Sequence, residues 1–162
     1  MTAKKITENI KSKDLVKYRD LVLATIEYNI QIYSKENIAG VSEIIEHFLS
    51  LKPQIEEHFE KGRLTKLKQW FRDLTETVIA SNDVKFNTYL KDQTGYDLDI
   101  FKSFNQKVEK IITKGKITND DQFYELRNYL DQLEGIEPVD NDKIKIIDRI
   151  LFKYEQKNKT NA

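Results

Sequence analysis

Apolar residues return every three or four positions along nearly the whole chain, and that period most limits the folds open to it. Leu15, Val22, Ile26 and Tyr33 form one such stripe, widened by Leu23 and Ile30. Leu67, Trp70, Phe71, Leu74 and Val78 form another, and Ile100, Phe101, Phe104, Val108, Ile111 and Ile112 a third. Side chains at this interval return to one side of a helix with about 3.6 residues per turn, whereas a strand would alternate at every second residue. The punctuation agrees: 162 residues contain only five Gly and two Pro, too few for the tight turns of an all-β chain. The expected fold is all-α, a compact bundle of about seven amphipathic helices joined by short loops.

Boundaries follow from caps and breakers. The first helix is expected from Ser12 as N-cap to about Lys35. Ser42 is expected to cap a helix bearing Ile44, Ile45, Phe48 and Leu49, with Ile55 and Phe59 inward. Pro53 either starts a new helix there or kinks a continuous one, and Gly62 stops it. Asn82-Asp83 marks a break and a new cap before Phe86, Tyr89 and Leu90, with Gly95 as the C-terminal glycine. Gly115 ends the next helix. Thr118 with Asp121 then resembles a capping box for a helix ending at Gly135. Pro138 and Asp140 introduce the last helix, which turns Ile144, Ile147, Ile150, Leu151 and Tyr154 inward. No Pro/Gly/Ser-rich linker divides the chain, so one domain over 1–162 is expected, with 1–11 and 156–162 frayed.

The first helix carries a second apolar stripe, Leu21, Tyr28 and Ile32, which leaves its polar residues only a narrow arc. A helix apolar over so much of its circumference is enclosed by several neighbours or by a second subunit. A central core helix, and hence a monomer, is favoured. A homodimer through 12–35 is the alternative.

Chemistry-bearing motifs are scarce. The chain has no cysteine, so it has neither a disulfide framework nor a thiolate metal site nor a cysteine nucleophile. His47 and His58, on one helix, would stand roughly 16 Å apart at about 1.5 Å per residue, too far to share a metal. Asp97 and Asp99 beside Gly95 lack the order and terminal Glu of a calcium loop, and read as acidic residues near a helix N-terminus. Phosphate-binding glycine loops and nucleophile elbows are absent from the sequence. No catalytic residue, metal or cofactor is expected, and the chain reads as a non-enzyme. The segment MTAKKITENIKSKD lacks the apolar core of a signal peptide, and no later run approaches membrane-spanning length. Together with Lys-, Ile- and Asn-rich composition, this suggests a cytoplasmic bacterial protein with no membrane contact.

Charge supplies the remaining signal. Its 27 basic and 27 acidic side chains cancel, so the basic excess typical of a broad nucleic-acid surface is missing. They are nevertheless segregated. Lys61, Arg63, Lys66, Lys68 and Arg72 lie in a stretch with no acidic residue. Their interleaving with Trp70 and Phe71 has the composition of a nucleic-acid surface, although helical spacing sends both aromatics inward. From Thr118 to Asp142, eight acidic residues face a single opposing Arg127.

In that acidic segment Phe123, Leu126, Leu130 and Leu133 share the inward arc. Asp121, Glu125, Asn128 and Asp131 lie outward, and Tyr124 sits among them. Glu134, Glu137, Asp140 and Asp142 carry negative charge onward into the next helix. A tyrosine amid carboxylates suits a docking patch, because Tyr gives contact area and a hydroxyl at low entropic cost while carboxylates steer a basic partner. The expected function is an immunity or inhibitor-type protein that docks a basic protein, such as a toxin, through an acidic C-terminal helical hairpin. The alternatives are a nucleic-acid-associated or regulatory protein using 61–72, and an oligomeric structural module.

Overall fold

The computed structural model describes residues 3–161, with side chains from residue 12 onward. Among the described residues there are seven α-helices and no strand. They are α1 (Ala3–Tyr33), α2 (Val41–Glu60), α3 (Leu64–Ala80), α4 (Lys85–Thr94), α5 (Lys102–Lys114), α6 (Asp120–Glu134) and α7 (Asn141–Thr160). No helix among them is long and apolar enough to cross a membrane. Packing sorts them into two compact units, Met1–Asp99 and Ile100–Ala162, where the sequence offered no composition shift to mark a division.

In the first unit α1 packs against α2, α3 and α4, which accounts for its apolar girth within one chain. Val22 and Ile26 are fully buried with Ile55 of α2 and Leu67 of α3, and half-buried Phe59, Trp70, Phe71 and Leu74 close around them. The second stripe serves α4. Tyr28 stands edge-on to Phe86 at 4.9 Å between ring centres and lies 4.8 Å from Tyr89. The Tyr28 hydroxyl donates to Asp83 Oδ2. Burial, that hydrogen bond and the negative charge of Asp83 raise the Tyr28 pKa well above the ordinary tyrosine value.

The polar residues of this core are internally matched. Thr25 Oγ1 donates to the Leu21 carbonyl (2.7 Å) and Asn29 Nδ2 to the Thr25 carbonyl (2.9 Å), so both bonds close on α1 itself.

Several expected boundaries move. Ser12 lies inside α1, whose helical backbone already runs from Ala3, so it is not the N-cap; residues 1–2 lie outside the described residues. Gly40, at φ 81°, precedes α2 in place of Ser42, because a left-handed entry suits glycine and turns the chain sharply into the helix. Pro53 sits within one continuous α2. Leu49, one turn earlier, is 47% exposed rather than inward, so the carbonyl that Pro53 cannot serve lies on the solvent side. Val84, not Asp83, flanks the start of α4, and Asp83 is held instead by Tyr28. Asp97 and Asp99 reach α4, Asp97 pairing with Lys91 (2.9 Å) and Asp99 accepting from Asn87 (3.0 Å). Gly62 and Gly95 end their helices with positive φ, as the sequence suggests.

The second unit is a three-helix arrangement in which α5, α6 and α7 all touch. Val108, Ile111, Leu126, Leu130, Ile147 and Ile150 form its centre, and half-buried Phe104, Phe123, Tyr129 and Tyr154 pack against them. Lys143 of α7 ties the three helices together, donating from Nζ to Tyr129 Oη of α6 (2.9 Å) and to Glu109 of α5. Burial lowers the pKa of this ammonium, but the hydrogen bonds to Glu109 and Tyr129 more than offset it and leave the pKa raised. The chain after Tyr154 is helical to Thr160; Ala162 lies outside the described residues.

Candidate functional site

The acidic segment folds as α6, a short loop and the start of α7. Its first cap differs from the expected Thr118–Asp121 box by one residue. Asn119 is the N-cap, with Oδ1 accepting from Gln122 N at 2.9 Å. Gln122 Oε1 reaches back to accept from Thr118 N and Oγ1, both at 3.0 Å. Amide side chains thus do the work assigned to a hydroxyl and a carboxylate, which leaves Asp121 exposed and outside the cap. Asp140 caps α7, accepting from Lys143 N at 3.0 Å. Asp140 and Asp142 therefore sit where the positive end of the α7 dipole stabilises them.

Period and burial agree along α6. Leu126 is fully buried and Leu130 nearly so, and Phe123 and Leu133 are half-buried on the same arc. Tyr124 is 64% exposed. It stands edge-on to Phe123 (5.5 Å, 79°), and Phe123 stacks on Tyr154 of α7 (5.6 Å, 28°), so the outward tyrosine begins an aromatic run into the helix pair. The Tyr154 hydroxyl donates to Asp120 Oδ1 at 2.6 Å, and that bond leads the influences raising its pKa.

The predicted acidic residues do not form one patch. Glu125 lies on the α5 flank of α6, with its carboxylate 3.7 Å from Lys107. Asp121, Tyr124 and Asn128 occupy the middle of the exposed arc, and Glu137 is exposed in the loop. Asp131 and Glu134 lie on the other flank, where they meet α7. Here α6 and α7 enclose an open groove of about 420 Å³. Leu130 and Leu151, both buried, form its floor, and Phe152, 60% exposed, stands on the rim. Asp131, Glu134, Asp148 and Glu155 line its walls with Arg127, four carboxylates against one guanidinium, for a net of three negative charges. Arg127 Nη1 lies 3.8 Å from Glu155 Oε1, a long pair between partly exposed groups. Beyond Phe152 the exposed side of α7 turns basic with Lys145, Arg149 and Lys153, so the negative charge of α7 itself is limited to its first turn and to the groove.

Asp148, Phe152 and Glu155 are thus part of the acidic feature although the segment that drew attention ends at Asp142. Phe152 falls off the inward stripe of α7 just as Tyr124 falls off that of α6, and this is the signal that marks it.

The basic run is partly committed elsewhere. Lys61 pairs with Glu57 one turn before it, Lys68 lies 5.2 Å from the centre of the Tyr18 ring, and Arg63 approaches His58 Nδ1 at 3.5 Å. Trp70 is half-buried and meets His58 edge-on at 5.9 Å, so no exposed aromatic platform accompanies the cations. Lys66 and Arg72 are exposed. A larger concavity, about 760 Å³, opens beside Arg63, Lys66 and Ser12, but none of its lining residues is buried, so it is a shelf rather than a recess. Among the described residues no three His, Asp or Glu side chains come together in a way that could hold a metal.

Among the described residues the protein is all-helical, with a groove between α6 and α7 lined by four carboxylates and one guanidinium. No protein-family model, curated protein or solved structure matches the chain.

Proposed function

We propose that the chain is a non-enzymatic interaction module, an inhibitor or immunity-type bacterial protein of the cytoplasm, that docks a basic protein partner through the α6–α7 hairpin. The observation that carries this reading is the groove itself: a net negative channel with a buried leucine floor and an exposed Phe152 on its rim. Carboxylates around such a channel raise the encounter rate with a cationic surface and penalise an acidic one. The aromatic rim and leucine floor supply the desolvated contact that holds a partner once it arrives. Inhibition by coverage needs no catalytic group, only a surface complementary to the one it hides.

The test is capture from the native host with the wild-type chain, Asp131→Lys and Tyr124→Ala, followed by purification of the recovered protein and measurement of its affinity. A basic protein should be recovered, and Asp131→Lys should weaken its binding about tenfold or more, with a salt dependence that the variant reduces. Equal binding by all three proteins would refute the hairpin as the docking surface.

A further inference from the structure

We infer that the α6–α7 groove seats a single amphipathic α-helix of the basic partner, with an apolar side chain packed beside Phe152 and Lys or Arg side chains reaching the carboxylates. This rests on the proposed docking function and adds the form of the occupant.

Spacing argues for a helix. On α7, Asp148, Phe152 and Glu155 stand at i, i+4 and i+7, which puts acid, aromatic and acid on one face over roughly 10 Å at about 1.5 Å per residue. On α6, Asp131 and Glu134 stand at i, i+3, about one turn apart. A helix laid along the groove with a cation, an apolar residue and a cation at the same spacing meets these groups in register, as ridges of side chains enter the grooves of a neighbouring helix. An extended segment repeats its side chains on one face about every 7 Å, out of step with these positions. It would also leave its backbone N–H and C=O groups facing a helix pair that has no free edge to receive them.

Charge sets the polarity and the limits of the occupant. Arg127 stands at the Glu155 end of the groove and weakens the cation site there without filling it, so the stronger of the two basic anchors is the one near Asp131, Glu134 and Asp148. The basic flank beyond Phe152, with Lys145 and Arg149, repels a helix that is cationic all round. The fitting helix is therefore basic on one flank of its apolar stripe and neutral or acidic on the other.

The proposal can be tested on the full chain with two synthetic helical peptides of identical composition. One carries Lys at i and i+7 with Leu at i+4 on a single face, and in the other the same residues are shuffled around the helix. Binding is read by fluorescence anisotropy and located by amide shift changes in NMR spectra. The facial peptide should bind about tenfold or more tightly than the shuffled one, with shifts along α6 and α7. Phe152→Ala should erase that preference, while Asp148→Lys should weaken both peptides. Phe152 is exposed, so its truncation leaves the fold intact. Equal binding of the two peptides, unaltered by Phe152→Ala, overturns the seated helix while leaving charge-driven docking in place. Absence of binding by either at low ionic strength overturns both readings. Dimerisation of the free chain, abolished by Phe152→Ala in sedimentation equilibrium, would assign the groove to a second copy and overturn the proposal.

Discussion

Leu126 and Tyr124 are two residues apart on α6, yet truncating them should have very different consequences. The Leu126 side chain is wholly excluded from water among Val108, Leu130 and Ile147, whereas Tyr124 is 64% exposed. Leu126→Ala removes buried methyl groups and leaves a cavity that its neighbours fill only in part, at a cost of about 3 kcal/mol within the usual range of about 2–5. The second unit has roughly sixty residues, for which a total stability of about 3–9 kcal/mol is typical. The substitution therefore removes a third or more of that stability. In native-state hydrogen exchange, amides of Leu130, Ile147 and Ile150 should lose about a hundredfold of their protection in Leu126→Ala, since each ~1.4 kcal/mol is tenfold. Tyr124→Ala should leave the same amides within about threefold of wild type, because a surface truncation is worth about 0.5 kcal/mol or less. Equal losses in the two variants would refute the assignment of inward and outward faces on α6, and with it the acidic surface built on that assignment.

Other consequences follow at individual positions. Asn119→Ala should lower stability by about 1 kcal/mol through loss of the N-cap acceptor, while Asn119→Asp should largely keep it; thermal melts of the three proteins decide this. The raised pKa of Tyr28 means that the folded first unit holds this proton more tightly than the unfolded chain does. Its stabilisation is fully present below the ordinary tyrosine pKa of about 10 and is lost as pH rises beyond it. The stability advantage of wild type over Tyr28→Phe, measured by urea unfolding with Trp70 fluorescence, should therefore begin to shrink as pH rises past about 10. A constant difference would argue against the Tyr28–Asp83 bond.

The helices were largely legible because a period near four and a scarcity of breakers leave few alternatives. The caps were less so. Ser12 and Ser42 have the right chemistry for a cap, but a serine is also tolerated within a helix, and Gly40 had the stronger claim through its backbone freedom. Thr118 and Asn119 are adjacent cap formers, and only the position of Gln122 relative to the backbone chooses between them. Pro53 left two options that α2 resolves by exposing its gap to water. The candidate site was half visible. Tyr124, Asp131 and Glu134 stand out by their angle on one helix, but the groove depends on the register of α6 against α7, which no single-helix pattern contains. That register brings Asp148 and Glu155 opposite Asp131 and Glu134, and the packing of α5 on α6 sends Glu125 to Lys107 instead.

The hydrogen bonds of Thr25 and Asn29 bear on how freely this sequence can vary. Because both side chains bond to carbonyls of α1, no residue of α2, α3 or α4 has to supply them with a partner. Substitutions in the surrounding helices therefore cannot orphan a buried polar atom of these two residues. They are judged there by volume and shape alone, and a helix at the centre of its unit can keep its polar residues while the walls around it drift.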